Sequence, residues 1–152
     1  MSGEDNILKL VDAEPDDEGY RLQEQVGFIL RKAHQRHVAI FASRIGDLTP
    51  PQFAALARLR EAGDTSQNQL GALVAMDAAT IKGVIDRLKA RGLVTLTRHA
   101  GDRRRLMVGL TAEGREAVDR LLPLAKAITA ETLAPLSARE AETLTKLLAK
   151  IA

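Results

Sequence analysis

The sequence predicts a mainly α-helical chain carrying one two-stranded hairpin, and three observations lead there. Apolar residues recur with a period of about 3.6 over most of the chain, the pattern of helices that each bury one face. Helix starts are punctuated by hydroxyl-bearing residues with Gln or Glu three positions later, at Thr49, Ser66 and Ser137. One region departs from that period: residues 93–110 read as two short strand-like runs around a Gly101-Asp102 turn.

Composition bounds what such a chain can do. At 152 residues with 45% hydrophobic content, it fits one structural domain with a proper core. Cysteine is absent, which excludes disulfides, thiolate metal sites and thiol-based redox sensing. His34 and His37, spaced i, i+3, have no second ligand pair to complete a metal site, so no metal is expected. No apolar run approaches the roughly 18 residues of a membrane span, and the acidic start lacks the basic flank of a signal peptide. A cytoplasmic protein without membrane contact is expected. The chain has no phosphate-binding loop, dinucleotide fingerprint or Gly-x-Ser-x-Gly, and no catalytic residues are assigned.

Residues 1–18 hold seven acids against Lys9 and are expected to be a flexible acidic segment, in which Ile7, Leu8, Leu10 and Val11 form a small apolar cluster able to dock on a partner subunit. From Gly19 to Ile45 the stripe Leu22, Val26, Ile29, Leu30, Ala33, His37, Ile40, Phe41 predicts one long helix ending near Gly46. Thr49-Pro50-Pro51-Gln52 opens a second helix with a capping box and prolines where amide donors are dispensable; Gly63 closes it. Ser66-Gln67-Asn68-Gln69 repeats the capping-box pattern before a short helix bearing Leu70, Leu73 and Val74. Asp77 caps the next helix, whose Ile81, Val84, Ile85 and Leu88 face inward. Its opposite side then carries Ala79, Lys82, Gly83, Asp86 and Arg87, with Thr80 at the margin. Arg91-Gly92 stops that helix, and the runs Leu93–Arg98 and Arg105–Leu110 make an arginine-bearing hairpin. A helix from Thr111 to about Glu131, kinked at Pro123, and a last helix with the stripe Leu144, Leu147, Leu148, Ile151 complete the chain.

Charge is concentrated in the middle. Residues 66–105 hold eight Lys/Arg against three acids, whereas the whole chain is only +2. A helix and a hairpin presenting that excess together are the electrostatic footprint of a nucleic-acid binder.

Short helix, turn, second helix and two-stranded wing is the order of a winged helix-turn-helix domain. On Asp86-Arg87-Leu88, Arg91-Gly92-Leu93-Val94, Gly101-Asp102-Arg103-Arg104-Arg105 and Leu110-Thr111-Ala112-Glu113-Gly114, together with Leu48-Thr49-Pro50-Pro51-Gln52-Phe53, the sequence resembles the MarR family of transcription regulators. The resemblance runs from about Tyr20 to Ala152. It implies a homodimer that binds a pseudo-palindromic operator in double-stranded DNA as a repressor, with the helix from Asp77 in the major groove and the wing beside it. The regions are then the first helix (19–46) for dimerisation and the pocket edge, the winged helix-turn-helix (49–110), and the C-terminal dimerisation helices (111–152).

The DNA-facing set expected from face, charge and resemblance together is Ser66, Gln67 and Asn68; Ala79, Thr80, Lys82, Gly83 and Arg87; and Arg98, Arg103, Arg104 and Arg105. The resemblance further implies an Asp102–Arg104 ion pair that shapes the wing. It also implies a small organic effector, aromatic, phenolic or acyl-thioester in type, that releases DNA. Arg36, His37, Ile40, Phe41, Arg44 and Phe53 are the candidates to bind it, and no other cofactor is expected. A winged-helix module for protein contact without DNA binding is the alternative, favoured by an acidic or apolar recognition face.

Overall fold

The computed structural model describes residues 19–152; the expectations for the acidic segment 1–18 lie outside the described residues. Contacts divide the described residues after His34, and Gln35–Ala152 forms one compact unit.

The first helix is shorter than its apolar period predicts. A single 3-10 turn at Leu22–Glu24 is followed by extended Gln25 (φ −79°, ψ 134°), and the α-helix proper, α1, runs over Val26–Arg44. No side chain of residues 19–25 is buried. The apolar period alone does not set where the helix begins: the break falls at extended Gln25, and an equally exposed stripe of Val26, Ile29 and Leu30 continues into α1.

Helix α2 (Pro50–Ala62) starts as read: Thr49 Oγ1 accepts from the Gln52 N–H at 3.3 Å, and the Thr49 N–H donates to Gln52 Oε1 at 3.1 Å. Helix α3 (Gln67–Leu73) is capped by Ser66, whose hydroxyl accepts from the Gln69 N–H; the reciprocal bond that would close a capping box is not made. Helix α4 (Ala78–Ala90) is capped by Asp77 and buries Ile81, Val84, Ile85 and Leu88, the four residues expected. Helix α5 (Ala112–Leu133) continues through Pro123, and α6 (Ala138–Ile151) begins with the capping box of Ser137 and Glu140.

The sheet has three strands where two were read. Strands β2 (Val94–Arg98) and β3 (Leu106–Leu110) form the antiparallel hairpin, and a two-residue strand β1 (Thr65–Ser66) pairs with β3 on its other edge, in the order β1-β3-β2. Two residues are too few to show alternation in a sequence. The pairing matters, because Ser66 opposite Met107 fixes the start of α3 beside the wing.

Within Gln35–Ala152 the core is built from Leu56, Leu59, Leu70, Ile85, Leu88, Val108 and Val118, which pack α2, α3, α4, the sheet and α5 together. One close approach sets the entry to α5. The Thr111 N–H donates to the Leu93 carbonyl at 3.1 Å, Thr111 Oγ1 donates to the Gly92 carbonyl at 2.6 Å, and the Gly114 N–H donates to Thr111 Oγ1 at 2.9 Å. Gly114 is thereby laid against the residue that leads into β2 so closely that a Cβ there would run into the Leu93 carbonyl oxygen.

Helix α6 buries none of its side chains, and Leu147 and Ile151 are 54% and 67% exposed. In the other unit Tyr20, Leu22, Val26, Ile29 and Leu30 are exposed as well. Among the described residues, no helix is long and apolar enough to cross a membrane.

Candidate nucleic-acid interface and ligand cavity

Burying Ile81, Val84, Ile85 and Leu88 turns Ala79, Thr80, Lys82, Asp86 and Arg87 of α4 to the solvent, with Gly83 half-buried between them. Asp77 holds the first turn: its Oδ1 accepts from the Thr80 N–H at 2.7 Å. That main-chain bond, followed by the Thr80 side chain, keeps the Asp77 carboxyl below its ordinary pKa. Lys82 Nζ lies 2.9 Å from Asp86 Oδ2. Apart from its own helix's backbone and its chain neighbours, a Cβ on Gly83 would meet nothing within 4 Å, so packing does not require glycine there. Arg91 donates to the carbonyl and carboxylate of Asp47, across the concave surface that Arg87 also lines. Arg87 forms no salt bridge among the described residues, which leaves its guanidinium available to a partner.

The wing is held by its own backbone and three side chains. His99 N–H donates to the Arg105 carbonyl at 2.9 Å, while His99 Nδ1 accepts from the N–H groups of Gly101 and Asp102 at 2.9 and 3.1 Å. The implied Asp102–Arg104 ion pair is not formed. Asp102 Oδ1 instead accepts from the Arg104 main-chain N–H at 3.1 Å, the local turn that a short carboxylate makes two residues on. Arg98 is also drawn into shaping the wing, donating to the Arg103 carbonyl at 2.8 Å. The side chains of Arg103, Arg104 and Arg105 are exposed and take no part in an ion pair among the described residues. Pairing of β1 with β3 brings Gln67 and Asn68 to the same small cleft as Arg104 and Arg105. Ser66 borders that cleft but is buried, and its hydroxyl is used as the helix cap, so it presents no free side chain. Of the expected set, the structure thus leaves Gln67, Asn68, the exposed face of α4 and Arg103–Arg105 accessible, and brings Gln67, Asn68, Arg104 and Arg105 to one cleft.

A second site lies between α1, α2 and α5. His37, Phe41, Pro50, Phe53, Ala125, Ile128 and Thr129 line a cavity of about 180 Å³. Phe41 and Phe53 meet edge to face with ring centroids 6.2 Å apart and form its apolar wall. The His37 ring is oriented: Thr132 Oγ1 gives its proton to the Ile128 carbonyl at 2.8 Å and so accepts from His37 Nδ1–H at 2.9 Å. Nε2 is the ring's free polar atom.

Three of the six residues expected at an effector site do not line this cavity. Arg36 donates to the carbonyls of Thr132 and Glu131 at 2.8 and 3.0 Å, closing the C-terminal end of α5. Arg44 is paired with Glu131 at 2.8 Å, and Ile40 is in the core. Both arginines bond acceptors at the end of α5, a partner that periodicity along α1 cannot reveal. Pro50, Ala125, Ile128 and Thr129, which complete the lining, are not among the residues expected there, because a lining drawn from three helices leaves no local pattern. Among the described residues, no group of three or more His, Cys, Asp or Glu is placed to hold a metal.

Helix, turn, basic helix and a wing pinned by a third strand define a winged helix-turn-helix protein. The MarR family model matches residues 46–105, and the HTH-type transcriptional repressor NicR of Pseudomonas putida is 44% identical over 138 residues, covering 90% of this chain and 87% of the relative. The chain belongs to the MarR family of transcriptional regulators. A probable transcriptional regulator from Pseudomonas aeruginosa is 53% identical, covering 87% of this chain and 100% of its own, with a TM-score of 0.83. Bordetella bronchiseptica BpsR, whose DNA binding is regulated by 6-hydroxynicotinic acid, is 42% identical over 87% of this chain and 96% of its own, with a TM-score of 0.84.

Proposed function

We propose that this chain is a homodimeric, cytoplasmic repressor that binds a pseudo-palindromic operator and is released by a small aromatic acid; it has no catalytic role. The observations that carry DNA binding are the outward-facing, unpaired Arg87 on α4 and a basic wing whose Arg104 and Arg105 share a cleft with Gln67 and Asn68. A basic recognition face also separates this reading from a protein-contact module. The exposed apolar stripes of α6 and of residues 20–30 supply the surfaces that a second copy would cover. Two recognition helices would then meet half-sites about one helical turn apart.

Arg87→Ala and Arg103→Ala each test the reading. With the dimer intact, each is expected to weaken operator binding in a mobility-shift titration by about 1 kcal/mol or more, roughly fivefold. Unchanged affinity in both would remove the assignment of this surface.

For the effector, the relevant support is the cavity and two relatives, a repressor and a protein regulated by 6-hydroxynicotinic acid. About 180 Å³ is small beside the roughly 300–1,000 Å³ of drug-sized sites, which favours a single hydroxylated aromatic or heteroaromatic acid over an acyl-thioester. The phenylalanines would stack on the ring and His37 Nε2 would meet its polar group. His37→Phe is expected to leave operator affinity unchanged and to raise the concentration of 6-hydroxynicotinic acid needed for release by about fivefold, the worth of one hydrogen bond accepted by Nε2. An unaltered response would take His37 out of the site.

A further inference from the structure

The Lys82–Asp86 pair on the recognition face has no evident role in stability. Its two side chains are 67% and 52% exposed, and an exposed ion pair of this kind adds little to a fold. The order is also the weaker one for a helix. Acid four residues before base suits the helix dipole, whereas here the base comes first and Asp86 lies toward the C-terminal end, where negative charge is disfavoured. Asp86 is the only acid within α4, and it stands in a face otherwise built of small, neutral or basic residues. Next to it, the open space over Gly83 lets this part of the helix approach another surface closely.

Resting on the DNA-binding reading, we infer that Asp86 is a specificity-determining residue that, together with Lys82, reads a C·G base pair in the major groove. The chemistry is complementary. Guanine presents two neighbouring acceptors, N7 and O6, and its paired cytosine presents the N4 amino donor beside them. A lysine ammonium held 2.9 Å from a carboxylate oxygen offers a donor and an acceptor at matching separation, so Lys82 donates to guanine while Asp86 accepts from cytosine without the pair having to part. An A·T pair places its N6 donor directly after N7 and a thymine methyl beside O4, and does not offer two acceptors followed by a donor. Against a phosphate the same carboxylate repels, and it neutralises Lys82. Asp86 therefore lowers affinity for arbitrary DNA while it adds discrimination at the operator.

The test compares the full-length chain with Asp86→Ala and Asp86→Asn in selection from a random duplex pool, followed by titrations at several salt concentrations. Circular dichroism and sizing establish that both variants stay helical and dimeric; alanine at an exposed helix position is compatible with the fold. The wild type is expected to select a half-site with a C·G pair at one position. Asp86→Ala is expected to lose that preference by about tenfold or more. On non-cognate duplex Asp86→Ala and Asp86→Asn should both bind tighter than wild type. For both, the slope of log affinity against log salt should steepen by about 0.9 for each recognition helix engaged. If the wild type selects a sequence but Asp86→Ala keeps the same preference at every position and the same salt slope, the role given to Asp86 is overturned while DNA binding stands. If the wild type selects nothing, the DNA-binding reading itself fails.

Discussion

Gly114→Ala is expected to destabilise the folded chain by about 3 kcal/mol, at the upper end of what one added methyl group costs in a packed interior. The size follows from what the methyl would strike. Gly114 is in the first turn of α5, and its Cβ would overlap the main-chain oxygen of Leu93, an atom that cannot swing aside as the end of a side chain can. That oxygen is already fixed by the Thr111 N–H, and Thr111 in turn holds the Gly92 carbonyl and the Gly114 N–H. Relief requires the start of α5 to lift from the hairpin, and Ala117, Val118 and Leu121 behind it would lose their packing. Urea unfolding at fixed protein concentration reads the change as a lower midpoint with an unchanged slope. A loss below about 1 kcal/mol would show that the α5–hairpin junction is more yielding than its geometry implies.

Raising monovalent salt from about 50 to 200 mM is expected to weaken operator binding by about a thousandfold or more. Arg87, Arg103, Arg104 and Arg105 of each protomer lie exposed on the proposed surface, and two protomers supply enough cations for the six to ten phosphate contacts to which such a loss corresponds. Each neutralised phosphate releases condensed counterions, so log affinity should fall linearly with log salt, by about 0.9 per contact. Arg103→Ala should make that slope shallower by about 0.9 for each wing engaged. An affinity indifferent to salt would exclude the scheme, because no arrangement of these arginines on a phosphate backbone escapes counterion release.

Much of the architecture is legible in local chemistry. A Thr or Ser followed by Gln or Glu three positions on marks where α2 and α6 begin, because those side chains satisfy amide groups that no earlier residue can reach. The spacing of Ile81, Val84, Ile85 and Leu88 determines which side of α4 is buried, and hence that Lys82 and Arg87 are presented outward. The wing is marked by the Gly101-Asp102 turn between two strand-like runs, and its positive charge can be counted directly.

What tertiary structure decided is where groups distant in sequence meet. Strand β1 is too short to have a pattern, yet its pairing with β3 puts Gln67 and Asn68 beside Arg104 and Arg105. Arg36 and Arg44 have the composition of a ligand site, but the carbonyls and carboxylate at the end of α5, far along the chain, take both of them. Asp102 meets a main-chain N–H rather than a guanidinium, since two residues away the backbone donor is nearer than the end of a long side chain. Periodicity and capping act within one helix, so the sequence by itself determines helices, faces and charge. Cavities, clasps and the choice among competing donors depend on distances between elements, and those exist only once the chain has folded.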